Sequence, residues 1–417
     1  MPPLLIHNAR LATPVASING APNWQLTEIF PAALYCGNGR IVRVGKEQEV
    51  LKGLPACEQL DAKRQLMTPG LVDCHTHPVF FNLRAHEFVQ RVQGKTYKEI
   101  AAAGGGIRYS VRDLRQADAA ALLQRVLDRL DNFLQYGTTT IEAKSGYGLS
   151  LEHEMKSLEI LQQAASQHSV EIVPTFLGAH EVPDEFRERR EDYIALVINE
   201  MIPLVAQRQL ARFADVFCED HVFKAEESRR ILQAAKNAGL QPKIHADQLT
   251  VSGGAEVAIA VGAVSADHLE NTPPALFENL RTSGVVPVLL PGADFFIRAA
   301  KYADARAMIA AGLPVAISTD FNPGTCMTEN LPMIMTLACL HLRLTPAEAL
   351  IAATLHAAQA LTMGNRIGSL EVGKQADVVI WNAETVEEIP YHFAVNLVLQ
   401  VIKKGCVAWP RDQSAKL

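Results

Sequence analysis

The stretch Pro69–His77, PGLVDCHTH, sets an aspartate, a thiol and two imidazoles at the end of a short apolar run of the kind a folded protein buries. Buried imidazoles cost free energy unless they meet a partner, and backbone, carboxylate and metal all qualify. In an extended strand, residues two apart share a side, so His75 and His77 are placed to grip one ion together. A chain with 13 histidines produces a His-x-His pair by chance often enough that the motif alone decides little. Its weight comes from the runs that follow it.

Seven more short, β-rich runs end in polar or charged residues or glycine: TTTIEAKSG (138–146), VEIVPTFLGAH (170–180), ADVFCED (214–220), PKIHADQ (242–248), AVSADHL (263–269), VVPVLLPGA (285–293) and PVAISTDFNPG (314–324). Between them lie segments such as 120–137 and 226–240, with apolar residues three and four apart and a glycine near the end, as in amphipathic helices. Eight strand signals alternating with helices predict a (β/α)₈ TIM barrel. Outside it, residues 4–12, 33–45 and 65–70 share a strand-and-turn texture with 367–382 and 395–410. The expected organisation is a small β-sandwich-like domain built from 1–68 plus 368–417, and a barrel over 69–367.

Hydrophobic residues make up 48% of the 417 and charged ones 20%, which allows a large core. A net charge of −6 argues against nucleic acid or a membrane surface as partner, since both demand a basic face. A small molecule is the expected partner. The seven cysteines are odd in number, scattered and without a Cys-x-x-Cys pair, so they read as reduced thiols. No export signal or long apolar span stands out, and the expectation is a cytoplasmic protein.

In such barrels the chemistry sits at the C-terminal ends of the strands. Those ends carry His75, His77, Lys144, His180, Glu219, His245, His268 and Asp320. One histidine taken alone is more often structural than a ligand. As a set on strand ends, His75, His77, His245 and Asp320 offer nitrogen and oxygen donors for one divalent metal, Zn²⁺ or iron as Fe²⁺/Fe³⁺, with a position left for water. His268 either ligates a second ion or polarises a carbonyl and holds an oxyanion. Lys144 is read as an ion-pair partner rather than a carboxylated metal bridge.

PGLVDCHTH, KIHADQ, SADHL and STDFNPG resemble the amidohydrolase superfamily, and the split β domain is similar to that superfamily's usual companion. More narrowly, HTHPVF, RAHEF, GGGI, KSGYGL, TFLGAHEVP, DVFCE, LLPGADF, STDFNPGT and YHFAVN, in that order, resemble the cyclic amidohydrolases of histidine degradation. The resemblance implies hydrolysis of 4-imidazolone-5-propanoate to N-formimidoyl-L-glutamate by a homodimer. It also implies that Arg84, Tyr97 and Tyr147 bind the anionic substrate, with His180, Asn322, Gly324 and Thr325 contacting the ring or the product. An anionic propanoate in a net-negative protein needs such a local guanidinium and phenolic donors.

Several relatives carry glutamate three residues after the third histidine ligand; here the residue is Gln248, which hydrogen-bonds but does not ionise. General acid and base work then falls to Asp320, with His268 as the second candidate. Two other readings exist. An aminohydrolase deaminating a heterocycle would be expected to keep the glutamate, and a non-catalytic scaffold would not be expected to keep all four ligands.

Overall fold

The computed structural model describes residues 2–15, 22–95, 99–100 and 103–410. The chain opens with β1 (Leu4–Pro14), which pairs antiparallel with β2 (Leu26–Gly37), and β2 pairs in turn with β3 (Arg40–Lys46). Asn38 and Gly39, with φ of 52° and 77°, close the β2–β3 hairpin in the left-handed turn conformation that these two residues tolerate best. β4 (Glu58–Asp61) and β5 (Leu66–Pro69) both run parallel to β1.

Gly70 then carries the chain into the barrel. A Cβ at this position would lie 2.4 Å from Thr139 Oγ1, so only glycine passes here without displacing the neighbouring strand. The barrel strands are β6 (Leu71–Asp73), β7 (Thr138–Lys144), β8 (Glu171–Ala179), β9 (Phe213–Cys218), β10 (Gln241–Ala246), β11 (Ser265–His268), β12 (Val286–Leu289) and β13 (Ala316–Ile317). Every neighbouring pair is parallel, in chain order, and a parallel bridge between Thr76 and Phe321 brings the last strand back to the first. The expected barrel is therefore present.

Helices cover its outside for the reason the sequence gives. Helix Ala119–Gln135 is capped by the Asp118 side chain, buries Leu122, Val126, Leu130, Phe133 and Leu134 on one stripe, and stops before Gly137 with φ 89°. Helix Ala225–Asn237 stops in the same way before Gly239, φ 94°. Each fully buried leucine or phenylalanine of this kind contributes about 1.5–3 kcal/mol.

After the barrel, β14 (Val378–Trp381) pairs antiparallel with β5, and β15 (Val398–Lys403) and β16 (Cys406–Trp409) extend that edge. Both chain ends thus share one mixed eight-stranded sheet, as their common texture predicted. The segment 367–377 is not a strand, although its alternation resembles one. Gly368 and Gly373 adopt φ of 90° and 89°, and the backbone of this stretch instead exchanges hydrogen bonds with Ile41. Fully buried Trp381 locks the sheet to the barrel: its Nε1 donates to Thr68 Oγ1 at 2.8 Å, and its ring shares a core with Phe133 and Leu134. All seven cysteines are unpaired, in keeping with reduced thiols.

Candidate metal centre and active site

The two ends of the barrel sheet are stitched together by Asp73. Its carboxylate accepts from Thr319 N at 3.0 Å, from Thr319 Oγ1 at 2.7 Å and from the Ser318 hydroxyl, while His75 N donates to Ser318 Oγ at 2.7 Å. This seam brings the residues after β6 against those after β13. His75 Nε2 and His77 Nε2 lie 3.3 Å apart, and Asp320 Oδ1 is 3.5 Å from each. His245, at the end of β10, joins them, so that one donor atom from each of the three histidines lies within 4.8 Å of the others. Asp320 is in the left-handed region, φ 52°, which an aspartate adopts more readily than most residues.

The chemistry of this cluster suits a cation. His75 Nδ1 sits 2.6 Å from Asp267 Oδ2 and His245 Nδ1 sits 3.0 Å from Asp215 Oδ2, which leaves the opposite ring nitrogen of each to turn inward as a lone pair. Asp320 Oδ1 is buried and meets no hydrogen-bond donor among the described residues. Burial and the neighbouring positive charges hold the His75 imidazole far below its ordinary pKa, and burial with the adjacent histidines does the same to His77. Neutral imidazoles are the form that ligates a metal. Burial raises the Asp320 carboxyl to about 6, against the pull of His268 and His245. The three histidines and this carboxylate can hold a divalent metal.

Under the cluster lies a layer of buried charge. Lys144 Nζ is 2.7 Å from Glu142 Oε1, 2.7 Å from Asp215 Oδ2 and 3.7 Å from Asp267 Oδ2. Lys243 Nζ donates to Cys74 O at 2.9 Å and stands 3.2 Å from Glu142. Burial works against charge on Lys144, but the three carboxylates outweigh it and raise its pKa above the ordinary value. Burial likewise works to raise Asp215, yet His245 and Lys144 keep it well below the usual carboxylate range. Lys144 is thus an ion-paired ammonium supporting the carboxylates that orient His75 and His245.

The other expected residues gather around the same mouth. His180, at the end of β8, stacks on His77 with centroids 5.2 Å apart, and burial lowers its pKa to about 3. Buried Tyr147 stands 6.2 Å from His77 and 5.4 Å from His180, ring to ring. His268, φ 83°, faces His245 at 5.4 Å and His75 at 5.7 Å, with its Nδ1 3.5 Å from Glu270 Oε1. Asn322 folds the turn after Asp320: its Oδ1 accepts from Gly324 N and Thr325 N at 2.8 and 2.7 Å, and its Nδ2 donates to Asp320 O at 2.7 Å. Gly324 packs against the buried guanidinium of Arg84, where an added Cβ would fall 2.6 Å from Nη1. Gln248 is half-buried in the loop after β10, and its carbonyl accepts from Asn271 Nδ2 at 2.9 Å. Glu219 anchors that loop by accepting from Leu249 N at 2.8 Å. Tyr97 lies outside the described residues.

Sequence reading overlooked Asp215 and Asp267, which orient two histidines, and Glu154, whose Oε1 accepts from Gly148 N and Leu149 N at 2.8 Å and so shapes the Tyr147 loop. The signal for the first two was present: a charge inside an otherwise apolar strand needs a buried partner. Glu154 gave none, since an acid in a helix's first turn is commonplace.

Comparison with known proteins gives the same picture. The Amidohydrolase family model matches residues 66–407. An imidazolonepropionase from Geobacillus kaustophilus is 48% identical over 416 residues, 98% of each chain, and one from Symbiobacterium thermophilum is 50% identical over 377 residues, 89% of each. Among solved structures, a 5-methylcytosine deaminase from Klebsiella pneumoniae superposes with a TM-score of 0.74 at 17% identity, over 98% of both chains, a likeness of fold. Identity near one residue in two along the whole length goes well beyond a shared barrel: the chain belongs to the amidohydrolase family, alongside the imidazolonepropionases.

Proposed function

We propose that this protein hydrolyses 4-imidazolone-5-propanoate to N-formimidoyl-L-glutamate, the ring-opening step of histidine degradation. The observation that carries the reading is the turn Asp320–Thr325, which places a carboxyl of the histidine cluster and the guanidinium contact of Arg84 on one rigid piece of chain. One end meets a reacting ring and the other an anionic tail.

We assign His75, His77, His245 and Asp320 as ligands of one divalent ion, zinc or iron. Bound there, the ion supplies Lewis acidity and makes water nucleophilic near neutrality. The water oxygen bonds to the ring carbonyl carbon, the carbonyl–nitrogen bond breaks, and the leaving nitrogen takes up a proton. The Asp320 carboxylate takes that proton from the water and passes it to the leaving nitrogen. His268 faces the same space and donates to the oxyanion. We assign Arg84, Tyr147 and Tyr97 to binding of the propanoate, and His180, Gln248, Asn322, Gly324 and Thr325 to contacts with ring and product.

Around this site we propose the division into 1–68 plus 368–417 and 69–367, a cytoplasmic location, and a homodimer. Among the described residues no helix is long and apolar enough to cross a membrane. Exposed Leu340, Tyr391 and Phe393, which line one groove, supply an apolar face for a second copy. The function is tested by incubating the metal-loaded protein with freshly generated imidazolonepropanoate. N-formimidoylglutamate without ammonia supports it; ammonia release marks a deaminase instead.

A further inference from the structure

Arg84 flanks the start of helix Ala85–Val92, and the first turn of that helix brings Glu87 back over it. Both are buried, 6% and 4% exposed. Glu87 Oε2 accepts from Arg84 Nε at 3.0 Å and from Arg84 Nη2 at 2.8 Å, while its Oε1 accepts from Gly106 N at 2.8 Å. His86 Nε2 approaches the same Oε1 at 3.9 Å. A Cβ on Gly105 would come within 2.9 Å of Glu87 Oε1, so the glycine loop closes directly on the carboxylate. On the far side, Gly324 lies against Nη1 and Cζ of Arg84, with room for no side chain.

The guanidinium is thus clamped, by a carboxylate along its Nε–Nη2 edge and by the Asp320–Thr325 turn at its end. A long, rotamer-rich side chain held this way keeps a fixed distance from Asp320, and a fixed distance measures the length of a ligand. A purely structural pair at a buried position is readily replaced by apolar packing, whereas a planar fork that must meet a second carboxylate needs its orientation set.

We infer that Glu87 is a specificity-determining positioning residue: it sets the Arg84 guanidinium so that the substrate's carboxylate is read at a defined distance from the reacting ring. The inference rests on the proposed ring-opening activity and adds to it a residue outside the assigned pocket.

The test uses the metal-loaded protein and two ring ligands of equal length, imidazole-4-propanoate and 4-propylimidazole, which differ in the carboxylate. Glu87→Gln keeps the shape but has one acceptor oxygen for donors on two sides. The expected result is a rise of about tenfold or more in the Kd of imidazole-4-propanoate, with 4-propylimidazole changed less than about twofold. KM for the imidazolone should rise in parallel while kcat moves less than about threefold. Glu87→Asp, which restores the charge at shorter reach, should recover part of the loss. Equal weakening of both ligands, or of neither, in a wild-type background that opens the imidazolone ring overturns the role of Glu87 and leaves the activity standing. If wild-type protein does not prefer the carboxylated ligand, the inference falls together with the reading of Arg84.

Discussion

Asp320 carries more of the chemistry than any other single residue. It holds a left-handed backbone, turns Oδ1 toward His75 and His77, and passes its carbonyl to Asn322. Both His75→Ala and Asp320→Ala should therefore lose most of the bound metal, measured as metal per chain by elemental analysis. Full occupancy and activity in both would remove the ligand assignment. Arg84→Lys keeps the charge and loses the fork, so kcat/KM on the carboxylated substrate should fall roughly ten- to a thousandfold, about 1.4–4 kcal/mol. Activity on a ring lacking the carboxylate should be low in both proteins and barely change. These residues were legible because histidine and aspartate at strand ends are chemically distinctive. The partner of Arg84 was not, since an acid in the first turn of a helix, as Glu87 is, is ordinarily read as an answer to the helix dipole.

At the level of the strands, β7, β9, β10 and β11 carry alternating side chains inward, and that period puts Glu142, Lys144, Asp215, Lys243 and Asp267 into one layer under the histidines. The eight strands themselves were readable from apolar runs ending in polar residues. The layer was not, because charges on different strands become neighbours only when the barrel closes. Asp267→Asn removes the anionic partner of His75 Nδ1 and should weaken metal affinity about 10–100-fold, read by chelator competition. Lys144→Met leaves carboxylates facing one another without their ammonium and should destabilise the fold by about 3–5 kcal/mol in denaturant unfolding. A Lys144→Met protein as stable as the wild type would contradict the ion-pair account.

Across the whole molecule, stability should depend on pH through an acid pair behind His268. Burial raises the Glu270 carboxyl to about 8, against a hydrogen bond with Asp294 and with Glu219 and Asp247 adding to the rise, and burial with the neighbouring Glu270 raises Asp294 to about 9. Both are protonated in the folded state at neutrality and ionised in the unfolded chain, so the folded protein binds more protons between the usual carboxylate range and about pH 9. Stability from this pair is complete below that window, falls across it, and is gone once pH has risen through 8 to 9. Glu270→Gln should flatten the fall in Tm between neutral and alkaline pH; an unchanged slope would contradict it. The sheet shared by both chain ends was visible in their matched texture, whereas the segment 367–377 misled, because its alternation is interrupted by glycines whose conformation only the folded context reveals.

Every role assigned above serves hydrolytic opening of the ring at its carbonyl. It is tested most directly by running the reaction in water enriched in the heavy oxygen isotope and weighing the product. The expected product is N-formimidoylglutamate with one heavy oxygen in its newly formed carboxylate, produced only by metal-loaded protein and lost in Asp320→Ala. Release of ammonia from an intact ring, or the same labelled product at the same rate from Asp320→Ala, would contradict it.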